Sequence, residues 1–439
     1  MALPIVAVVG RPNVGKSTFV NRITQTTDAI VHEMRGVTRD RSYHHGDWNG
    51  VDFLLIDTGG IESGKTADEF QSSIRQQALM AADEADAIVF IVDGKVGMTP
   101  EDAEVARILN RAGRPTFLAV NKMDTPGRDD EAHEFWALGL GTPWPVSATH
   151  GHGTGDLLDE VVKVLPLIGE DDDEGAAGVI DVAIIGRPNA GKSSLLNRLS
   201  GVERAIVSEV AGTTRDAIDM SVERDGTRYR LVDTAGIRRK ALIDEDVEYY
   251  GFVRAMRAID RAQVALLVID STIGLTDQDQ RVANFAAERG CAMVILLNKW
   301  DALETVEEKE AVDVRVAERL GFVGYAPVLK ISALTGRGVH RIWDAVDLAY
   351  TNYTQEISTS RLNKLLTEMR DFGHTVSKGR QTLRLHYVTQ TRTSPPGFTF
   401  FANHPQLADD NFKRYLENRM REGFDFTGTP IILKFRKKD

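Results

Sequence analysis

The chain contains itself twice, and that constrains its fold more than any other feature. Residues 10–17 read GRPNVGKS and residues 186–193 read GRPNAGKS, which puts Lys16 and Lys192 176 positions apart. Thr38 in GVTRD and Thr214 in GTTRD keep that offset, as do Asp57 in DTGG and Asp233 in DTAG. The offset becomes 177 between Asn121 of NKMD and Asn298 of NKWD, then 185 between Ser147 of SAT and Ser332 of SAL. The second copy should therefore carry roughly one or two helical turns more than the first, around Leu303 to Arg319. Solenoid units are far shorter than this, so the repeat is a duplicated domain. A chain of 439 residues has room for about two to four domains, hence for something besides the pair.

Between the copies lies GEDDDEGAAG, residues 169–178. A charge block with small residues and no apolar period reads as a solvated linker. Near Tyr350 the pattern changes again. Thr359 to Phe372 has helical spacing, with Leu362, Leu365, Leu366 and Met369 on one face. Thr382 to Val388 alternates like a strand, and SPPG at 394–397 marks a turn into a short strand around Phe398 to Ala402. Asp409 to Glu422 is again helical, and Pro430 to Phe435 reads as a closing strand. The expected organisation is a first domain over 1–168, the linker 169–178, a second domain over 179–350 and a small α+β domain over 351–439.

Each copy alternates short apolar runs with helical segments. In the first, Ile5 to Val9, Phe53 to Ile56, Ala87 to Val92 and Thr116 to Val120 are the strand candidates. That alternation predicts the α/β class, with a mostly parallel sheet and helices on both faces. Ligands then bind at the carboxyl ends of the strands, and each motif follows directly on one of these runs.

Gly10 to Ser17 fits G-x-x-x-x-G-K-[ST] between a strand and a helix, as does Gly186 to Ser193. Gly10, Gly15, Gly186 and Gly191 let backbone N–H groups turn toward phosphate oxygens, and the helix N-terminus adds partial positive charge. Lys16 and Lys192 can reach the β- and γ-phosphates, while the hydroxyls of Ser17 and Ser193 can ligate Mg²⁺. Thr18 and Ser194 follow in the same loops and are included among the nucleotide-binding residues. Asp57 and Asp233 suit the carboxylate that holds Mg²⁺ waters. Gly60 and Gly236 can bring an N–H close to the γ-phosphate. Asp124 and Asp301, with Asn121, Lys122, Asn298 and Lys299 in the same motifs, select the base. A carboxylate accepts N1–H and the N2 amine of guanine, a donor pair that adenine lacks. GTP and GDP are thus the expected ligands rather than adenine nucleotides.

The ordered set GRPNVGKS, Thr38, DTGG, NKMD and SAT resembles the Era-like family of translation-factor-class GTPases. Two such copies with an acidic linker and a terminal α+β domain resemble its bacterial ribosome-assembly members, over essentially the whole chain. The resemblance implies that Thr38 and Thr214 ligate Mg²⁺ and sense the γ-phosphate. It also implies that Ala148 and Ala333, beside Ser147 and Ser332, meet the guanine oxygen through backbone N–H groups. Ile61 and Ile237 stand where Ras-like proteins place a water-orienting Gln. Asn13 and Asn189 match the asparagine with which potassium-stimulated members hold K⁺, although Asn is also a good turn-former. Arg238, Arg239 and Lys240 follow the second D-x-x-G, where the first copy has Glu62, Ser63 and Gly64. The two copies are thus expected not to be redundant.

Charge divides the chain unevenly. From Thr351 onward there are 15 Lys+Arg against 9 Asp+Glu, so a net −11 over the whole chain conceals a basic end. Phe398, Phe400, Phe401, Phe412 and Tyr415 could stack on RNA bases or fill a small core. The family resemblance implies a KH-like domain here, yet no G-x-x-G occurs after Thr351. With a single cysteine, Cys291, no internal disulfide can form. The apolar runs Val264 to Ile269 and Met293 to Leu297 are too short for a bilayer, and Leu3 to Val9 lacks signal-peptide flanks. The resulting expectation is a cytoplasmic, monomeric GTP hydrolase using Mg²⁺ and K⁺. Its partners would be the large ribosomal subunit and its rRNA, with no DNA and no membrane.

Overall fold

In the computed structural model the run IVAVV forms a fully buried strand, β1 (Ile5–Val9), because five apolar residues covered on both faces suit a central parallel position. The structure describes residues 3–26, 43–57, 75, 78–79, 81–82, 85–125, 129–166, 178–201, 209–210, 219–232, 234, 255–371, 377–378 and 381–437. Around β1 the first copy adds β2 (Tyr43–Trp48), β3 (Val51–Asp57), β4 (Ala87–Asp93), β5 (Thr116–Asn121) and β6 (Pro143–Pro145). Their order is β2-β3-β1-β4-β5-β6, parallel throughout except for the antiparallel β2–β3 pair. Helices Lys16–Thr26 and Pro100–Ala112 lie between strands along the chain, and Thr154–Val164 follows β6. Phe19, Val20 and Ile23 from the first of these pack with Val6, Val8, Leu157 and Val161 into one core.

The second copy repeats this plan. Its strands are β7 (Val179–Ile185), β8 (Glu209–Val210), β9 (Asp219–Arg224), β10 (Thr227–Val232), β11 (Val264–Asp270), β12 (Ala292–Asn298) and β13 (Val328–Lys330). The order β8-β9-β10-β7-β11-β12-β13 matches the first sheet with one short strand added at the edge. The expected extra turns are present: where the first copy has a 3₁₀ segment, Asp129–Leu138, the second has an α-helix, Val306–Arg319. Its start is fixed by a capping box. The Glu308 N–H donates to Thr305 Oγ1, and Glu308 receives the Thr305 N–H in return.

The third region has helix Thr359–Asp371, a short pair β14 (Ser377–Lys378) and β15 (Gln381–Thr382), then β16 (Leu385–Arg392), β17 (Gly397–Ala402), helix Asp410–Gly423 and β18 (Ile432–Lys437). The order α-β-β-α-β expected from sequence is therefore present, with the β14–β15 pair as an addition. β16 runs antiparallel and β18 parallel to the central β17. Of the five aromatics weighed between core and stacking, Phe398, Phe400 and Phe412 are buried with Leu362, Leu366 and Met420, and Tyr415 packs at the rim. Only Phe401 lies outside that core.

Two compact units make up the chain, Met1–Asp173 and Glu174–Asp439. The second copy and the third region thus form one body. Its seam is specific: the Met293 N–H donates to Gly428 O at 2.7 Å, and Thr429 Oγ1 donates to Ala349 O at 2.8 Å. Arg421 lies 4.7 Å over the Tyr325 ring and donates to Thr429 O. Gly428 sits at φ +77, and a Cβ there would come within 2.5 Å of Ala349 Cβ, so only glycine lets the backbones close. Helix Arg341–Thr354 runs from the second copy through residue 350 into this seam.

Candidate active sites

Each phosphate loop leaves its strand at a glycine that no other residue could replace. A Cβ on Gly10 would strike Ile91 O, and one on Gly186 would strike Val268 O. The loops then turn through left-handed residues, Asn13 at φ 63 and Gly15 at φ 100, with Asn189 at φ 61 and Gly191 at φ 100. These turns fold the loop around the lysine. Lys16 Nζ donates to Gly10 O and Arg11 O at 2.7 and 2.9 Å; Lys192 Nζ donates to Gly186 O and Arg187 O, both at 2.6 Å. Gly191 starts its helix without a side-chain cap, leaving first-turn N–H groups for an anion. Ser17, Thr18 and Ser194 are exposed at the loop mouths, and Ser193 is half-buried.

The base-reading motifs are built by buried amides. Asn121 Nδ2 donates to Val14 O at 2.7 Å, and Asn121 Oδ1 accepts from the Ala148 N–H at 2.9 Å. Asn298 does the same between Ala190 O at 2.8 Å and the Ala333 N–H at 2.9 Å. So the asparagine ties the phosphate loop to the last motif. The Ala148 and Ala333 amides, expected to face the guanine oxygen, are engaged by this asparagine, and a base would have to share them. Lys122 and Lys299 adopt left-handed φ of 69 and 60, which aims their ammoniums at Asp93 and Asp270, 2.6 Å away in each case. Burial raises the pKa of Asp270, but hydrogen bonds from Lys299 and Thr272 outweigh it and hold the carboxyl below the usual range.

Asp124 is oriented by Ser147 Oγ at 2.8 Å and Lys95 Nζ at 2.6 Å. Lys95 first and Ser147 second hold its carboxyl below the usual carboxylate range. Asp301 is exposed. Ser332 Oγ accepts the Thr335 N–H at 3.1 Å, shaping the last loop.

Asp57 ends β3 almost fully buried, in register with Val8 of β1, the strand that leads into the phosphate loop. Thr38, Gly60, Thr214, Asp233 and Gly236 lie outside the described residues, as do Ile61, Ile237, Arg238, Arg239, Lys240 and nearly all of the linker. Among the described residues, no group of three or more His, Cys, Asp or Glu is gathered to hold a metal ion. Mg²⁺ held by a hydroxyl, a carboxylate and phosphate oxygens needs no such group. Cys291 is buried, its thiol donating to Ile259 O and Ala262 O, and burial pushes its pKa up to about 12. It is chemically inert.

Two features that the motifs do not include recur in each copy. Arg22 donates to Ala148 O and Thr149 O, and Arg198 donates to Ala333 O and Leu334 O, pinning the last loop from the first helix. Thr99 with Asp102 caps the helix after β4, and Thr276 with Asp279 caps the helix after β11 in the same way. Both features recur at the duplication offset, which is the signal that could have found them.

Known families and proteins are similar to this chain in sequence. The family described as 50S ribosome-binding GTPase matches residues 5–122 and 181–299. A second, the KH-domain-like C-terminal family of EngA bacterial GTPase enzymes, matches residues 356–436. GTPase Der of Symbiobacterium thermophilum is 49% identical over 437 residues, covering 99% of this chain and 93% of the relative. That of Heliobacterium modesticaldum is 47% identical over 441 residues, covering 100% and 99%, and that of Brevibacillus brevis 46% over 439, covering 100% of both. With the two clefts, the shared sheet order and full-length relatives in agreement, the chain belongs to the GTPase Der family, tandem GTP hydrolases that end in a KH-like domain.

Proposed function

We propose that this protein is a nucleotide-dependent switch in assembly of the large ribosomal subunit, hydrolysing GTP to leave it. The observation that carries the reading is the joining of a guanine cleft and a basic domain in one compact unit, through β12 and helix Arg341–Thr354. The matched family's description as ribosome-binding supports it. Sedimentation of the full chain with separated subunits, in GDP and in a non-hydrolysable GTP analogue, tests it. Binding to the large subunit should depend on the nucleotide; an unchanged distribution would remove the proposal.

Within each cleft the proposed roles follow from placement. Lys16 and Lys192 neutralise the β- and γ-phosphates, and Asp124 and Asp301 read the guanine edge. Ser17 with Asp57, and Ser193 with Asp233, would hold Mg²⁺, joined by Thr38 and Thr214. The metal would supply charge neutralisation at the phosphates, and Gly60 and Gly236 would offer N–H groups there. Asn13 and Asn189, exposed at the loop turns, would help hold K⁺ where an arginine finger acts in other GTPases. Turnover should be severalfold faster in K⁺ than in Na⁺; equal rates would reduce both asparagines to turn-formers. Domain limits of 1–168, 179–350 and 351–439, a monomeric state and a cytoplasmic location complete the reading. Among the described residues no helix is long and apolar enough to cross a membrane.

A further inference from the structure

Each phosphate-loop lysine is held by the main chain of the arginine that follows the first loop glycine. Lys16 Nζ donates to Arg11 O at 2.9 Å, and Lys192 Nζ to Arg187 O at 2.6 Å. Whatever anchors the arginine side chain therefore steadies the carbonyl that aims the lysine. The two copies read alike at this point, G-R-P-N in the loop and T-x-x-D at the start of the helix after β4 or β11. Their anchors nevertheless differ.

In the first copy Arg11 Nε donates to Asp102 Oδ1 at 2.8 Å. Asp102 Oδ2 accepts from the Thr99 N–H and hydroxyl, so both oxygens of this buried carboxylate are engaged. Asp279 is its counterpart in the second copy, equally buried and held at Oδ2 by Thr276. Among the described residues, no side chain hydrogen-bonds its Oδ1. Arg187 Nη2 lies instead 3.5 Å from Oδ2 of Asp270, the last residue of β11. That oxygen also takes Lys299 Nζ at 2.6 Å, while Oδ1 takes the Thr272 N–H and hydroxyl. Asp270 thus faces cations from both the phosphate loop and the base-reading motif. Among the described residues, its counterpart Asp93 pairs with Lys122 of the base-reading motif alone. The side chains of Arg187 and Asp270 are 15% and 2% exposed, so their attraction acts largely out of water.

We infer that Arg11 and Arg187 are positioning residues for the phosphate-loop lysines, the first anchored by Asp102 of helix Pro100–Ala112 and the second by Asp270 on the base side of its cleft. In the second cleft the supports of phosphate and base then meet at one carboxylate, whereas in the first they are separate. The inference rests on the phosphate role proposed for Lys16 and Lys192.

Double-substitution cycles on GDP affinity test it. Calorimetric titrations use the full chain, with Asp301→Asn to isolate the first cleft and Asp124→Asn to isolate the second. Arg187→Gln should weaken GDP binding about fivefold, the scale of one charged hydrogen bond acting at one remove. Beside Asp270→Asn it should cost nothing further, and beside Asp279→Asn it should cost the full amount. In the first cleft the pattern reverses: Arg11→Gln should lose its effect beside Asp102→Asn and keep it beside Asp93→Asn. Each loss should be equal for GDP and for inosine diphosphate, whose base lacks the N2 amine, because the arginine acts on the phosphate side. Arg11→Gln leaves Asp102 without a facing guanidinium, as Asp279 already is, so circular dichroism should show the fold intact. Arginine substitutions without effect, a cycle that couples Arg187 to Asp279 rather than Asp270, or a loss confined to GDP would overturn the inference alone. A chain that binds no GDP would overturn the proposed cleft roles and the inference together. Two GDP sites persisting in the isolating backgrounds would remove the base-reading role, and the two-site fit would still decide each cycle.

Discussion

The two copies share the bonds that build each cleft and differ in how they hold the carboxylates around it. Asn121 and Asn298, Lys122 and Lys299, Arg22 and Arg198 make corresponding contacts. Around the carboxylates the agreement ends. In the first copy Arg11 Nε donates to the buried Asp102 at 2.8 Å, locking the phosphate loop to helix Pro100–Ala112. In the second, Asp279 Oδ1 has no partner among the described residues, and Arg187 Nη2 lies 3.5 Å from Asp270 instead. Burial raises the Asp279 pKa. The second difference concerns the base. Lys95 grips Asp124, whereas Thr272 holds its position in the second copy and turns its hydroxyl to Asp270. Duplication has kept what builds a cleft and varied what surrounds its charges.

Removing either phosphate-loop lysine should give the largest effect. Lys16→Ala and Lys192→Ala should each cut turnover in their own cleft by about a hundredfold or more. If one substitution leaves the total single-turnover rate untouched, that copy does not hydrolyse GTP, and the buried likeness between the clefts does not extend to chemistry.

Smaller losses should follow from the shared asparagines. Asn121→Ala leaves a buried carbonyl and a buried amide without partners, a cost of about 1–3 kcal/mol for each group so exposed to burial. Asn298→Ala should do the same in the second copy. Thermal unfolding followed with each nucleotide should show a similar loss for both; a loss in one alone would show that the copies differ in their interiors too.

The finest difference is titratable. Lys95 and Ser147 hold Asp124 below its ordinary pKa, so base reading persists as pH falls until the carboxyl takes a proton. Lys95→Thr removes the first of these, raising the Asp124 pKa, and GDP binding at the first cleft should then be lost at a higher pH. At neutral pH the change should not exceed about fivefold, since the pair is partly solvated. Fluorescent GDP titrations from neutral to acid pH should show this shift; coincident acid limbs would make Lys95 a bystander.

Much of this was legible in the sequence because strands end where motifs begin. β1, β3, β4 and β5 are apolar runs whose burial on both faces leaves a plain signal, and the duplication offset checks them. β2, YHHGDW, carries no such run, since it is the antiparallel strand at the sheet edge. β6, three residues flanked by prolines at both ends, is too short for any period. The stacking of Tyr387 on Phe401 in the third region was hidden for a different reason. Alternation alone assigns Tyr387 to the face of Leu385, but Leu385 pairs with Ala402 and Tyr387 with Phe401, so His386 is an extra residue. Arg22 and Arg198 were visible as an N-R pair repeated 176 positions apart, yet their bonds to the last loop depend on contacts 126 and 135 residues away in sequence.

Gly428 also bears on how the protein can be taken apart. A truncation at residue 350 would sever helix Arg341–Thr354 and strip the main-chain bond from Met293, baring the start of the strand whose far end is NKWD. A cut in the linker instead falls between the two compact units. For expression of fragments, the molecule has two pieces rather than three: a lone GTPase copy, and a copy inseparable from its basic companion.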